Sequence, residues 1–254
     1  MHRLLYRISG RKPLSGSFVR QTPPSASQYN GRIADIFFGI QETVVEKWLH
    51  YLPVYDHLFA PYVGTNVAML EIGVWNGGSL DMWRRFFGPD AILFGVDINP
   101  QCARFDGKSA SVRIGSQDDP KFLSGVVKEM GKLDIVLDDG SHVASHQRAS
   151  FEALFPLLSE GGLYIIEDLH TAYYPHMEGG WRRAGSGIEF LKDKIDDMHR
   201  HYVEPGRNNS ESLPPIESIQ FFDSIAVVRK RRQLPREFVI TPMSPDRTAD
   251  PRRP

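Results

Sequence analysis

The chain has 254 residues, 41% of them hydrophobic and 24% charged, enough apolar material for one large domain with a full core. A formal net charge of −1 gives no global reason to bind nucleic acid or an anionic membrane. The single cysteine, Cys102, excludes an intrachain disulfide, and no apolar run approaches the roughly 18 residues of a membrane span. The expectation is a cytoplasmic protein with neither nucleic acid nor membrane as partner.

Residues 1–34 carry Arg3, Arg7, Arg11, Lys12, Arg20 and Arg32 and no acid, among many Ser, Pro and Gly. Such a stretch reads as a transit peptide, a flexible tail, or a basic arm packing on a second subunit, so a homo-oligomer stays open. A domain is expected over 35–232. It opens with an amphipathic helical segment, Glu42–Phe59, broken at Pro53. Apolar strands follow at Val67–Val74, Ile92–Ile98, Val112–Ile114, Ile135–Leu137 and Leu163–Ile166. Continuous rather than alternating apolar strands are what a parallel sheet covered on both faces requires. Between and after them, helical periodicity marks Ser79–Phe87, Lys121–Met130, Val143–Leu158 and Gly187–His201. Ile219–Val228 reads as two short strands hinged at Asp223-Ser224, a closing antiparallel hairpin. Beyond the basic run Arg229–Arg232, the Pro-rich residues 233–254 read as a loose tail. The pattern is one α/β domain.

In open parallel sheets, ligands bind beyond the carboxyl ends of the strands. The first strand runs into Glu71-Ile72-Gly73-Val74-Trp75-Asn76-Gly77-Gly78-Ser79, a G-x-x-x-G-G turn, and the second ends at Asp97. This is not the G-x-G-x-x-G of a dinucleotide site. No lysine follows the glycines as a phosphate loop needs. An acid before the glycine, no pyrophosphate cradle, and an acid on strand two to take both ribose hydroxyls together suit S-adenosylmethionine. The competing reading is a tight strand–helix turn. The third strand ends in Gly115-Ser116-Gln117-Asp118-Asp119, whose polar groups either read an adenine or cap the next helix.

Two further strands end alike: Asp134-Ile-Val-Leu-Asp138-Asp139-Gly-Ser-His142 and Leu163-Tyr-Ile-Ile-Glu167-Asp168-Leu-His170. If these strands are neighbours, Asp139, Glu167 and Asp168 converge with His142 beside them. Mg²⁺ takes about six oxygens and keeps several from water or substrate, so three carboxylates form a plausible partial shell. The alternative makes these acids caps of the following helix or turn. His142, near a helix N-terminus that disfavours the imidazolium, is placed to be a general base. His142 and His146 are four apart, a spacing that zinc sites use, but the absent H-E-x-x-H glutamate argues against zinc. The segment between Leu169 and Gly187 is long, aromatic and glycine-punctuated, as functional loops are, and its rings could stack on a sugar or polyketide.

At these residues the chain resembles the Mg²⁺-dependent sugar O-methyltransferases of antibiotic biosynthesis. The likeness runs from about Lys47 to Lys230. It is strongest in Leu70–Val74, Gly95–Ile98, Ile135–His142 and Tyr164–Thr171. It implies a single Rossmann-like class I methyltransferase domain, with a mostly parallel seven-stranded sheet, helices on both faces and a C-terminal antiparallel hairpin. Asp139, Glu167 and Asp168 would then be metal ligands and His142 the base. Glu71, Gly73, Ser79 and Asp97, with Gln117 and Asp139, would face S-adenosylmethionine, and the acceptor would be a small-molecule glycoside of rhamnosyl type. The rival readings are a catechol-type metal-dependent O-methyltransferase and a non-catalytic cofactor-binding module.

Overall fold

Strand residues whose side chains alternate between two buried faces need cover on both sides, and the computed structural model of the protein supplies it. It describes residues 28–202, 215–234 and 237–239. Of the expected tails at 1–34 and 233–254, residues 1–27, 235–236 and 240–254 lie outside the described residues. Strands β1 (Ala68–Ile72), β2 (Ile92–Asp97), β3 (Ser111–Ile114), β4 (Ile135–Asp138), β5 (Leu163–Ile166), β6 (Ile216–Phe222) and β7 (Ile225–Lys230) form one sheet in the order β3-β2-β1-β4-β5-β7-β6. The first five are parallel, and β7 runs antiparallel to both β5 and β6. The fold is therefore the expected α/β domain, closing hairpin included.

One face of the sheet is covered by α1 (Arg32–Gly39), α2 (Leu52–Phe59) and α3 (Gly78–Phe87). Here Met69, Ile135, Leu137, Leu163 and Ile165 meet an aromatic block of Tyr55, Phe59, Trp83, Phe86 and Phe87. Trp83 is fully buried, with its ring edge-on to Tyr55 and Phe59; truncation to Ala would cost roughly 3–5 kcal/mol. The opposite face carries α4 (Pro120–Met130), α5 (Ala144–Leu154) and α6 (Gly187–Met198). There Val136, Tyr164 and Ile166 pack on Phe151, Leu154, Phe190 and Leu191. Local signals set several helix ends. The Asp119 side chain accepts from the amides of Lys121 and Phe122, with Pro120 following in the first turn, and Gly131 ends α4 in the left-handed region. Asp119 thus takes the capping role weighed for it.

Three expectations shift. Residues 41–48 are not helical: they form an extended strap whose Val44 bridges Gly77, and α2 starts only at Leu52. Pro53 lies in that helix's first turn, where its missing N–H is harmless, so it starts the helix rather than breaking one. The folded domain also begins before residue 35, because α1 spans Arg32–Gly39 and buries Ile33 and Ala34. Its N-terminus has no local side-chain cap; the Ile33 amide donates to Asp56 of α2 at 3.1 Å. Finally, α5 stops at Leu154, and a single 3-10 turn over Phe155–Leu157 carries Pro156. Among the described residues, no helix is long and apolar enough to cross a membrane.

Candidate active site

The register of the two central strands builds the site. Asp138 of β4 pairs with Ile166 of β5, and the Glu167 amide donates to the Asp138 carbonyl at 3.0 Å. Side chains alternate along strands, so Asp138 turns to one face while Asp139 and Glu167 turn to the other. Asp138 is fully buried and accepts from Ser150 Oγ (2.6 Å), Tyr164 OH (3.1 Å) and Gln117 Nε2 (3.1 Å). Burial pushes its carboxyl pKa up, against the pull of these donors. It ties α5, β5 and the β3–α4 loop together beneath the site.

On the other face, Lys47 of the strap inserts its ammonium between the two acids. Nζ lies 2.5 Å from Asp139 Oδ2 and 3.0 and 2.8 Å from the Glu167 oxygens. The lysine side chain is only 2% exposed. Burial works against its charge, yet Asp139, Glu167 and Glu71 outweigh it and hold the Lys47 pKa well above the ordinary value. Tyr55 OH donates a hydrogen bond to Glu167 Oε1. Burial, with the Asp139 charge behind it, pushes the Glu167 carboxyl up, while Lys47 and Tyr55 pull it back.

Asp168 stands next to this pair. Tyr51 OH donates to its Oδ1 at 2.7 Å. Its Oδ2 lies 3.8 Å from His142 Nε2, which in turn is 3.9 Å from Asp139 Oδ1. These gaps exceed a hydrogen bond. Of the three expected metal ligands the structure brings Asp139 and Asp168 together, with His142, each offering a ligand atom within 4.8 Å of the others; Glu167 is not in that set, its oxygens being held by Lys47 and Tyr55. Oxygens sharing an octahedral Mg²⁺ at 2.0–2.1 Å sit roughly 3–4 Å apart, so the set fits a small hard cation after slight contraction. The fit also holds for charge: three carboxylates and one ammonium leave two negative charges for a divalent ion. His142 and Asp168 adopt φ of 59° and 54°, and Trp75 across the cavity 46°. For residues other than glycine this costs on the order of 1 kcal/mol each, and such strain clusters at functional sites.

The capping alternative fails at both strand ends: Asp168 stands at the N-cap position of the 3-10 helix Leu169–Tyr173 but makes no side-chain cap hydrogen bond, and no acid of the β4 end caps α5. Val143 is its N-cap, with no side-chain cap of its own, and Glu178 of the aromatic loop reaches over to accept from the Ser145 amide at 2.9 Å. His142 precedes that helix by two residues rather than starting it, and its ring is 94% buried at the cavity wall.

The cavity has a volume of about 620 Å³, in the range of small-molecule sites. Gly73, Ser79, Asp97, Gln117, Asp139, His142, Glu167 and Asp168 all line it. Asp97 Oδ2 accepts from the amides of Val74 (2.9 Å) and Trp75 (3.0 Å), and Oδ1 from Asn99 (2.8 Å), fixing the carboxylate at the end of β2 with Oδ1 the less occupied oxygen. Gly73 has φ +99°, and a Cβ there would sit 2.2 Å from the Asp139 carbonyl oxygen, so close passage of the β4 loop demands glycine. At Gly78 a Cβ would meet the Val44 carbonyl at 2.1 Å, so this glycine admits the strap. Two expected cofactor residues are engaged elsewhere. Glu71 does not line the cavity but lies fully buried below it, accepting from Ser79 Oγ (2.8 Å) and Trp83 Nε1 (3.2 Å). Burial raises its carboxyl from 4.5 to about 7. Gln117 spends its amide on Asp138 and on the Ser141 amide, which donates to Oε1 at 2.6 Å.

Sequence reasoning missed Lys47, Tyr51 and Tyr55. Tyr51 and Tyr55, four residues apart at the start of α2, carried a helical-spacing signal; Lys47, on the non-helical strap, carried none. The hairpin turn at Asp223-Ser224 stands where the sequence places it, but its contact with the site was not foreseen: the Ser224 carbonyl accepts from the Leu169 amide (2.9 Å) and its hydroxyl contacts His170 Nδ1 (2.7 Å), bracing the segment after Asp168. His170 packs edge-on against Trp48, which lines the cavity mouth, and against Tyr174. Farther out, Tyr173 and the 78% exposed Trp181 stack at 6.1 Å.

With this geometry established, comparison with known proteins points one way. Residues 70–169 match a family model described as a methyltransferase domain. The chain is similar to sugar O-methyltransferases of antibiotic pathways. It is 38% identical over 198 residues to the 8-demethyl-8-(2-methoxy-α-L-rhamnosyl)-tetracenomycin-C 3′-O-methyltransferase of Streptomyces olivaceus, covering 73% of this chain and 50% of that one. It is 35% identical over 236 residues to the mycinamicin VI 2″-O-methyltransferase of Micromonospora griseorubida, covering 85% and 57%. Among solved structures, the MycE methyltransferase in complex with Mg, S-adenosylhomocysteine (SAH) and mycinamicin VI superposes with a TM-score of 0.63 at 37% identity, over 72% of this chain and 50% of that one. The chain thus spans about half the length of the curated relatives it matches.

Proposed function

We propose that the protein transfers the methyl group of S-adenosylmethionine to a hydroxyl of a sugar, of rhamnosyl type, on a glycosylated natural product, with Mg²⁺ required. The observation that carries this reading is the meeting of Asp139, His142 and Asp168 in the wall of the same cavity that Asp97 and the glycine turn line. A cofactor-binding module would need only Asp97 and the glycine turn. Relatives that act on rhamnosyl tetracenomycin and on mycinamicin supply the acceptor class.

In this reading Asp97 accepts both ribose hydroxyls, and Glu71 steadies the glycine turn from below through Ser79. Asp139, Glu167 and Asp168 hold the metal. When bound, Mg²⁺ lowers the pKa of an acceptor hydroxyl and helps fix it in line with the methyl. His142 Nε2, aimed into the gap between Asp139 and Asp168, takes the proton. Tyr51 and Tyr55 hold Asp168 and Glu167 in their rotamers, and Trp48 gives the sugar an aromatic face at the cavity mouth. The experiment is incubation of the full chain with labelled S-adenosylmethionine and a panel of rhamnosides, with and without EDTA. Label transfer that EDTA abolishes and Mg²⁺ restores is expected. Transfer that survives EDTA would remove the metal from the mechanism, and tight cofactor binding with no transfer to any glycoside would favour the module.

A further inference from the structure

We propose that Lys47 is a built-in counter-ion of the carboxylate cluster that competes with the divalent cation for Asp139 and Glu167. The inference rests on the metal reading of the site and concerns what occupies the same acids without it. Lys47 Nζ is within 3.0 Å of both oxygens of Glu167 and 2.5 Å from one oxygen of Asp139. Glu167 Oε1 is also taken by Tyr55. Asp139 divides its oxygens, Oδ2 to the lysine and Oδ1 toward His142. A cation entering between Asp139 and Asp168 therefore meets one like charge a bond length or two behind its ligands, and gains Glu167 only by loosening the Lys47 contact.

The placement explains two features that catalysis alone does not. Three neighbouring carboxylates with no cation would repel one another in a buried wall, and Lys47 relieves that repulsion when metal is absent. The lysine also rides on the extended strap, which passes over the start of α3 where Gly78 leaves room for the Val44 carbonyl. The strap is separate from the β4 and β5 ends that present the acids, so lysine and ligands can change distance without disturbing the sheet. Occupancy by metal and seating of the strap are then linked: whatever holds Lys47 in place weakens the metal, and the reverse holds equally.

The test is calorimetric titration of the metal-free full chain with Mg²⁺ and Mn²⁺ in the wild type, Lys47→Met and Lys47→Arg. Lys47→Met is expected to bind either ion at least about tenfold more tightly, while its metal-free melting temperature falls and its metal-induced rise in melting temperature grows. Lys47→Arg should stay near wild type. A lysine with a merely structural role predicts the opposite, affinity lost along with stability, and unchanged or weaker binding in Lys47→Met overturns the proposal. If metal-free Lys47→Met does not fold, added Mg²⁺ or Mn²⁺ should restore its circular dichroism; failure of both to do so also overturns it. A wild type that binds neither ion refutes instead the metal reading itself.

Discussion

Replacing Glu71 by Gln should make the protein's stability less dependent on pH, by an amount the structure sets. The Glu71 carboxyl is fully buried between Ser79 and Trp83, and its pKa rises from 4.5 to about 7 chiefly through burial. The sign follows from linkage. Between those values the folded state holds the proton that the unfolded chain has lost, so stability present below about pH 4.5 drains away as pH rises to about 7. At about 1.4 kcal/mol per pH unit, the loss from this group is about 3 kcal/mol by pH 8. Gln is neutral throughout and fits the same contacts: its carbonyl accepts from Trp83 Nε1, and its amide donates to the Ser79 hydroxyl, which can accept as readily as it donates. Urea denaturation of wild type and Glu71→Gln at half-unit steps from pH 4.5 to 8 should give curves that coincide at the acid end and separate by about 3 kcal/mol at the alkaline end. Asp138 and Glu167, also raised by burial, are common to both proteins and cancel in the difference. Parallel curves would show that Glu71 ionises in the fold at its ordinary value, and the buried-acid reasoning would fall.

The other expectations concern the site directly. Asp97→Ala removes a charged acceptor worth about 1–3 kcal/mol and should weaken S-adenosylhomocysteine binding roughly tenfold or more; unchanged calorimetric affinity in a folded variant would displace β2 from the cofactor site. Asp168→Ala should abolish Mg²⁺-dependent turnover with cofactor affinity near wild type, and normal turnover in that variant would remove the acid from the metal. His142→Ala should keep cofactor and metal binding but lose about 10²–10⁴-fold in rate. A folded His142→Ala enzyme with more than about a tenth of the wild-type rate would reopen the choice of base.

How much of this could be read from sequence depends on how local each signal is. The strands were legible because continuous apolar runs such as Leu163–Ile166 have few other uses, and the paired acids because they end those runs. Their convergence was legible only as a condition, since it needs β4 and β5 to be neighbours, as the register confirms. What escaped is what long-range contacts decide. Helix α1 draws its cap from Asp56, 23 positions on. The strap reads as helix because Glu42–Phe59 is amphipathic, yet residues 41–48 must stay extended to cross Gly77 and Gly78. Lys47 meets Asp139 and Glu167 across 92 and 120 positions, and no window of sequence holds that juxtaposition. His170 follows its acid pair much as His142 follows the other, yet it does not line the cavity, and its Nδ1 contacts the Ser224 hydroxyl, 54 positions later.

Adjacent residues here do opposite work because a strand turns each successive side chain to the other face. Asp138 and Asp139 have the same chemistry and nearly the same place in the chain. The first is sealed among Ser150, Tyr164 and Gln117, which fully engage it and leave nothing for a ligand. The second faces the cavity and shares its charge with Lys47 and the His142 gap. Gln117 belongs to both sets: it donates to Asp138 and accepts from the Ser141 amide, so the buried acid fixes the loop that carries His142. Rigidity thus runs from the core face to the cavity face through one amide side chain. His142 needs such a tether, because it sits in a strained left-handed conformation that local sequence would not maintain. The apolar run before the acids builds the sheet, the first acid anchors the loop, and only the second is left free to meet a ligand.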